Sequence, residues 1–146
     1  STEIDEELIV RYSQCIALMP MMQFSIAPWR VLSKENYGRI LRSVQLHESL
    51  VPYYMEQIRG MQEKAEPIVR LLEYNYPASG YGEVMDVFMI GDRYLCAPVL
   101  KKGEKEKAIP LPRGKWKYNG SAVEGGRTIR IPVDLDSIPL FERVLD

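Results

Sequence analysis

The hydrophobic pattern of this 146-residue chain changes its period part-way along, and that change limits the folds that the chain can adopt. Between Asp5 and about Met61, apolar residues recur at three- and four-residue steps, which is the spacing of an amphipathic helix. Beyond Gly82, short apolar segments alternate with Gly, Pro, Asn and Asp, as is typical of antiparallel strands. The sequence therefore predicts an α/β part followed by an all-β part, with the boundary near Ile90 and Gly91.

Two helices are predicted in the first part. One runs from about Asp5 to Leu18, because carboxylates crowd its first turn, where they interact favourably with the helix dipole. The second starts at Ser33, whose hydroxyl can cap the first turn. Pro52 removes a backbone donor, so we expect either two helices or one helix that kinks near Leu50.

Short segments with strand character follow the helices. The apolar run 68–72 is expected to form a strand buried on both faces, with Arg70 in a structural salt bridge to Glu73 or to an acid outside the chain. The pair Gly125-Gly126 is expected to supply a hairpin turn. The spacing predicts an antiparallel sandwich or barrel, with strand candidates at 84–90, 94–100, 108–111, 115–118, 127–133 and 138–144.

Charge and composition exclude several classes of function. The chain has 19 basic and 20 acidic side chains, a balance that offers no electrostatic case for binding nucleic acid or an anionic membrane. No apolar run approaches the roughly 20 residues of a membrane-spanning helix. Cys15 and Cys96 lack a metal-ligand spacing and are expected to be buried free thiols, with a disulfide as the second interpretation. Free thiols favour a cytoplasmic location, and no metal or cofactor is expected.

Residues 19–30, Met-Pro-Met-Met-Gln-Phe-Ser-Ile-Ala-Pro-Trp-Arg, are the strongest candidate for a binding site. An apolar run ends there in Gln23, Ser25 and an X-Pro-Trp turn, as expected where a buried strand opens into a ligand pocket. His47 has no neighbouring acid or thiol in sequence, so we expect it to be structural. Asp92 is expected to cap its own turn.

Five segments together resemble glycoside hydrolase family 31, the family of α-glucosidases and α-galactosidases with a (β/α)8 barrel and a following β-sandwich. The likeness covers nearly the whole chain. The segments are 5–20 (Glu-Leu-x-x-Arg helix and following strand), 37–54 (helix ending in Leu-Val-Pro-Tyr-Tyr), 67–72 (Pro-Ile-Val-Arg-Leu-Leu), 86–100 (Asp-Val-Phe-Met-Ile-Gly-Asp…Ala-Pro-Val-Leu) and 111–116 (Leu-Pro-Arg-Gly-Lys-Trp).

The resemblance implies that residues 1–90 form the C-terminal part of the (β/α)8 catalytic barrel and that 91–146 form the proximal antiparallel β-sandwich. It also implies that Gln23, Phe24 and Trp29 line the sugar-binding end of the barrel. Phe24 stands where most members carry a His that contacts the sugar. With this difference, the segment is similar to a branch of the family that is associated with α-galactosides rather than α-glucosides.

The same resemblance implies that the two catalytic aspartates of a retaining glycosidase lie upstream of Ser1. We therefore expect the C-terminal portion of an exo-acting α-glycosidase for terminal α-galactosides or α-glucosides, inactive when isolated. Its partners would be an α-linked oligosaccharide or glycoside and the remainder of the barrel, and uncovered edges predict a homo-oligomer. The alternative is a non-catalytic carbohydrate- or protein-binding β-sandwich module.

Overall fold

The computed structural model describes residues 5–18, 33–64 and 66–145 of the chain. Within these residues the chain forms two long helices, one short helix and eight strands. In chain order the elements are α1 (Glu6–Ala17), α2 (Lys34–Lys64), β1 (Val69–Leu71), α3 (Leu72–Asn75), β2 (Phe88–Ile90), β3 (Tyr94–Cys96), β4 (Glu106–Leu111), β5 (Lys115–Tyr118), β6 (Ser121–Glu124), β7 (Arg127–Pro132) and β8 (Leu140–Val144).

Polar side chains cap both long helices at their first turns. Asp5 Oδ1 accepts a hydrogen bond from the N–H of Leu8 at 3.3 Å, and Ser33 Oγ accepts one from the N–H of Asn36 at 3.3 Å. Each cap satisfies a donor that the first turn of a helix leaves without an intrahelical partner. The predicted starts of both helices are therefore confirmed.

Pro52 lies inside α2 without dividing it, so of the two predicted alternatives the one with two separate helices is wrong: 31 residues form one helix, and a kink near Leu50 stays a prediction. Leu50, Tyr53 and Tyr54 flank the proline and are 4%, 6% and 2% exposed. Burying three such side chains stabilises by about 1.5–3 kcal/mol each. That gain exceeds the roughly 3 kcal/mol that an interior proline costs a helix.

The strands form two antiparallel sheets that pack face to face. The large sheet has six strands in the order β1-β2-β3-β8-β5-β6, and β4 pairs with β7 in the small sheet. Met89 lies opposite Leu95 in the large sheet, and Ile109 lies opposite Ile129 in the small one. The chain is thus a mostly antiparallel β-sheet domain with two long helices, and the predicted sandwich of antiparallel strands is confirmed.

The large sheet is covered on both faces where β2 and β3 lie. Side chains alternate between the faces of a strand, so Phe88, Ile90 and Cys96 contact α2 while Met89 and Leu95 point into the sandwich. All three residues of β2 are buried as a result. The sandwich core contains Leu72, Val87, Met89, Leu95, Ala97, Ile109, Leu111, Trp116 and Phe141.

The predicted domain boundary at 90/91 falls in the turn between β2 and β3, which are paired strands of one sheet. A division there would separate the two strands of a hairpin. In the described residues every strand pairing is antiparallel. The resemblance implies a barrel strand over residues 17–20, but Ala17 is the last residue of α1, and residues 19 and 20 lie outside the described residues. The division between barrel and sandwich stays a prediction.

β1 is an exposed edge strand, so the prediction of a strand buried on both faces is wrong. Val69 and Leu71 are 37% and 43% exposed, because β1 pairs with β2 on one side and ends the sheet on the other. Between them, Arg70 forms its salt bridge with Glu66 at 3.4 Å rather than with Glu73. The predicted structural role of Arg70 is confirmed with a different partner.

A hairpin turn lies at Asn119-Gly120 instead of Gly125-Gly126. Both residues have positive φ, 48° and 80°, as a two-residue type I′ turn requires. The turn joins β5 to β6, a strand that the sequence prediction missed. Gly125 and Gly126 carry the chain from β6 in the large sheet to β7 in the small sheet.

Candidate functional site

The predicted sugar-contacting residues Gln23, Phe24 and Trp29 lie outside the described residues. Their role in contacting sugar therefore stays a prediction. The structure does describe the residues immediately before and after the segment 19–32 and the contacts that hold them.

The chain before this segment is fixed by two side chains of α2. The hydroxyl of Tyr54 donates to the carbonyl oxygen of Leu18 at 2.8 Å, and Nδ1 of His47 lies 3.1 Å from the carbonyl oxygen of Ala17. The rings of His47 and Tyr54 also contact each other, with centroids 5.8 Å apart. His47 is therefore a structural residue, as the sequence predicts, and the last turn of α1 is tied to α2.

The chain after the segment is fixed by an acid of α1. Glu6 Oε2 accepts hydrogen bonds from the Asn36 side-chain amide at 2.6 Å and from the backbone N–H of Ser33 at 3.1 Å. The hydrogen bond from Asn36, followed by those from Ser33, lowers the pKa of Glu6. Both ends of the segment 19–32 are thus attached to the same pair of helices.

A second set of contacts joins α2 to the β2–β3 hairpin. The hydroxyl of Tyr53 donates to the carbonyl oxygen of Ile90 at 2.7 Å, and the Tyr53 ring meets the Tyr94 ring edge-on with centroids 4.9 Å apart. The guanidinium of Arg93 lies 5.0 Å from the centre of the Tyr53 ring. Burial raises the pKa of Tyr53 to about 12. Gly91 has a φ of 56°, and a Cβ at this position would collide with the Tyr53 hydroxyl.

A cleft of about 370 Å³ separates α2 from the β5–β6 turn and from the loop that joins β7 to β8. We refer to it as the helix–sandwich cleft. Arg39 and Arg42, one turn apart on α2, both bind Asp136 of the loop, with Nε of Arg39 and Nη2 of Arg42 each 2.8 Å from Oδ1. The hydrogen bond from Arg39 and, to a smaller extent, that from Arg42 lower the pKa of Asp136. Tyr118 and Asn119 form the wall on the sandwich side.

Side chains of α1 hold the same loop. Gln14 is 5% exposed, lines the cleft and donates through Nε2 to the carbonyl oxygen of Leu135 at 2.7 Å. Arg11 donates to the carbonyl oxygen of Asp134, and burial lowers the pKa of its guanidinium. Sequence reasoning missed this cleft, although the i, i+3 spacing of Arg39 and Arg42 and the Asn-Gly turn were signals for two of its walls.

Three carboxylates, those of Asp5, Glu6 and Asp136, have pKa values that differ from that of a glycosidase general acid. A general acid needs a raised pKa. The pKa values of Asp5, Glu6 and Asp136 are instead lowered, each chiefly by a hydrogen bond to its side chain.

Across ranges 5–18, 33–64 and 66–145, no three His, Cys, Asp or Glu side chains gather at a metal-binding distance, and no helix is long and apolar enough to cross a membrane.

The two cysteines are free thiols, as the sequence predicts. Cys15 is partly buried and Cys96 is fully buried against α2. Burial raises the pKa of both thiols, and most strongly that of Cys96. A protonated, buried thiol is a poor nucleophile, which gives both residues a packing role.

Comparison with known families identifies the sheet part of the chain. The family model "Glycosyl hydrolase family 31 C-terminal domain" matches residues 65–144, which is more than half of the chain. The chain belongs to glycoside hydrolase family 31. The resemblance stated from the sequence motifs is therefore confirmed.

Curated relatives of this family 31 chain are much longer proteins. The myogenesis-regulating glycosidase of Mus musculus is 37% identical over 142 residues, covering 94% of this chain and 20% of the mouse protein. The 1,6-alpha-glucosyltransferase of Sporosarcina globispora is 33% identical over 147 residues, covering 92% of this chain and 11% of that protein. The mouse protein is the glycosidase whose relatives residues 19–30 resemble.

Two solved structures of sugar-processing enzymes have the same fold as this chain. The cycloalternan-degrading enzyme of Trueperella pyogenes, in complex with a covalent intermediate, matches with a TM-score of 0.87 and 25% identity, over 100% of this chain and 23% of that one. The Flavobacterium johnsoniae dextranase, complexed with isomaltotriose, matches with a TM-score of 0.86 and 26% identity, over 94% of this chain and 18% of that one. The family 31 chain therefore corresponds to a small part of each enzyme.

Proposed function

We propose that this chain is the C-terminal portion of a retaining, exo-acting α-glycosidase that hydrolyses terminal α-galactosides or α-glucosides. The match of residues 65–144 to the C-terminal domain of family 31 carries the proposal. Relatives that cover more than nine-tenths of this chain are a glycosidase and a glucosyltransferase by name, which supports chemistry on α-linked sugars. The nucleophile and the acid/base would come from the remainder of the catalytic barrel.

In this proposal α1 and α2 are helices at the end of the barrel, and the segment between them carries Gln23, Phe24 and Trp29 to the sugar. The hydrogen bonds to Leu18 and Ser33 support this role, because a binding segment is precise only when its ends are held by packed elements. The amide of Gln23 would bind sugar hydroxyls, and the two aromatic rings would contact the apolar faces of the sugar.

The remainder of the barrel is the proposed partner of α2. Leu41, Val51 and Met55 lie on one side of this helix and are 43%, 40% and 48% exposed. A helix face of this kind is normally covered in a stable protein, because burial of each such side chain is favourable. Where the remainder of the barrel is missing, the same face would drive self-association of the chain.

Phe24 is the residue that we propose to favour α-galactosides. A phenyl ring cannot provide the hydrogen bond that a histidine would give to a sugar hydroxyl, so a substrate that depends on that bond is disfavoured. Replacing Phe24 by His should therefore move the ratio of kcat/KM values towards α-glucosides, by about tenfold for one hydrogen bond.

The proposal is tested by assaying the longer protein and the 146-residue chain on aryl α-galactosides and α-glucosides. We expect turnover by the longer protein and none by the chain alone. Phe24→His should change the sugar preference, whereas Tyr74→Phe, a change at a half-exposed aromatic residue of α3, should not. Turnover by the isolated chain, or a longer protein without α-glycosidase activity, would overturn the proposal.

A further inference from the structure

The helix–sandwich cleft has the size of a small-ligand site and has no role in the proposed hydrolysis. Its volume of about 370 Å³ lies within the range of roughly 300–1,000 Å³ that is common for ligand pockets. Its walls come from four separate parts of the fold, the first of which is α1 with Gln14. α2 supplies Arg39 and Arg42, the β5–β6 turn supplies Tyr118 and Asn119, and the β7–β8 loop supplies Asp136.

The charges in the cleft favour a neutral ligand. Two guanidiniums, those of Arg39 and Arg42, face two carboxylates, those of Asp134 and Asp136, so the formal charges cancel. Asp136 already bridges both guanidiniums at 2.8 Å. An anion would have to displace this carboxylate, and a cation would have to displace a guanidinium, and either exchange loses a charge-assisted hydrogen bond.

Polar groups in the cleft retain hydrogen-bonding capacity. The side chain of Arg42 is 59% exposed, and among the described residues it binds Asp136 through one nitrogen. Gln14 is buried and uses one amide hydrogen for the carbonyl oxygen of Leu135, which leaves the second for the cleft. The side chain of Asn119 is exposed at the rim. Its amide forms a hydrogen bond to Tyr118, which leaves one N–H and the carbonyl oxygen for a ligand.

Tyr118 gives the cleft a rigid aromatic surface. Its ring stacks on Phe141 with centroids 4.5 Å apart and an interplanar angle of 18°, so one face of the ring is fixed against the core. The same residue lines the cleft. An aromatic ring backed by a second ring, with amide, guanidinium and carboxylate groups around it, matches a ligand that has an apolar face and a rim of hydroxyl groups.

We propose that the helix–sandwich cleft binds a neutral hexopyranose unit of an oligosaccharide. The sugar ring would lie against Tyr118, and its hydroxyl groups would accept from Arg42 and exchange hydrogen bonds with Asn119. This binding involves none of Gln23, Phe24 or Trp29, so the 146-residue chain should bind sugar even where it has no catalysis.

The test is a titration of the 15N-labelled 146-residue chain with isomaltotriose, the ligand of the dextranase relative, to about 20 mM, well above a millimolar Kd. Backbone resonances of residues 39–42 and 118–120 should shift together. Arg42→Ala and Asn119→Gly should each raise the Kd about tenfold or more, which corresponds to one lost charged or amide hydrogen bond. Glycine keeps the positive φ at position 119, so the turn survives this change. Lys115→Ala, at an exposed residue of β5, is the matched control and should leave the Kd unchanged.

Several results would overturn the proposal. One is the absence of shifts at residues 39–42 and 118–120 at the highest concentration. Another is binding that Phe24→Ala abolishes and Arg42→Ala and Asn119→Gly leave intact, which would place the sugar at the proposed barrel site instead. Larger shifts with inorganic phosphate than with isomaltotriose would show an anion site. If Arg42→Ala lowers the melting temperature enough to unfold the chain, the result for Asn119→Gly decides.

Discussion

Replacing Tyr54 by Phe tests how much one buried hydrogen bond contributes to holding the end of α1 on α2. The hydroxyl of Tyr54 lies 2.8 Å from the carbonyl oxygen of Leu18, and these residues are 2% and 0% exposed. A phenyl ring fills the same volume, so the substitution leaves no sizeable cavity. Its main effect is that the Leu18 carbonyl loses its partner in a place that water does not reach.

The magnitude follows from that unsatisfied carbonyl. Leaving a buried polar group without a partner costs about 1–3 kcal/mol of the free energy of unfolding. For a domain of this size, each kcal/mol lowers the melting temperature by roughly 2–4 °C. We therefore expect the Y54F chain to melt about 2–12 °C below the unmodified chain, with an unchanged slope in urea.

Tyr53→Phe is the matched control. Its hydroxyl donates to the carbonyl oxygen of Ile90 at 2.7 Å, so it should lose a similar free energy of unfolding. The two variants should differ in function, because Leu18 precedes the proposed sugar-contacting segment whereas Ile90 lies in the sheet. In the longer protein, Tyr54→Phe should lower kcat/KM more than Tyr53→Phe does.

Urea unfolding followed by circular dichroism, together with kinetics of the longer protein, provides the measurement. A Y54F variant within about 0.3 kcal/mol of the unmodified chain would refute the reasoning about the buried carbonyl. Equal kinetic effects of the two substitutions would refute the role of Leu18 in positioning the segment.

Three further predictions concern other parts of the chain. Lys107 is 4% exposed and pairs with Asp86 at 3.1 Å, so Asp86→Ala should lower the free energy of unfolding in urea by about 1–3 kcal/mol. Adding Lys107→Met should restore most of this free energy, and no restoration would contradict the pairing. The pKa of Tyr53 is about 12 in the folded chain against an ordinary 10.0, so its contribution to the free energy of unfolding is complete below pH 10 and is lost as pH rises towards 12. The free energy of unfolding should therefore fall less steeply with pH across this range in Tyr53→Phe than in the unmodified chain. An equally steep fall in both would argue against this role of Tyr53. Native Cys96 should react with a thiol reagent more slowly than Cys15, and both should react at full rate in urea; equal native rates would show that Cys96 is accessible.

Local signals in the sequence predict much of the secondary structure. Carboxylates and a serine before apolar periodic runs place the starts of α1 and α2, because caps act within one turn of the helix. The segment Lys115–Tyr118 is predicted with its observed bounds, since Lys and aromatic residues alternate along it. Asn119-Gly120 was an equally local signal for the hairpin, and the sequence prediction overlooked it in favour of Gly125-Gly126.

The sequence predictions are wrong where the tertiary surroundings of a segment decide its burial or its secondary structure. The run around Arg70 is apolar enough for a buried strand, yet it ends the sheet and is exposed, because no strand of the described residues pairs with its outer edge. Pro52 signals a break in a helix, yet Tyr53 and Tyr54 pack against the sheet and keep the helix continuous. The residues of each segment do not show which parts of the chain will pack against it.

The candidate sites divide in the same way. Gln23, Phe24 and Trp29 lie within one short stretch of sequence, so a motif alone predicts them, and their arrangement stays a prediction. The helix–sandwich cleft brings together Arg39 and Asp136, which are 97 residues apart. No sequence spacing predicts such a pair, because it depends on how the helices dock on the sandwich.

By itself the sequence determined the family, the helical first part, the stranded second part and the turn chemistry, because motifs, hydrophobic periods and caps all act over a few residues. Only the tertiary structure decided that one sheet spans position 90, that α2 covers one face of that sheet, and that Arg39, Arg42 and Asp136 meet across a cleft. Those features depend on the burial of side chains from distant parts of the chain, and burial is a property of the packed molecule rather than of any segment.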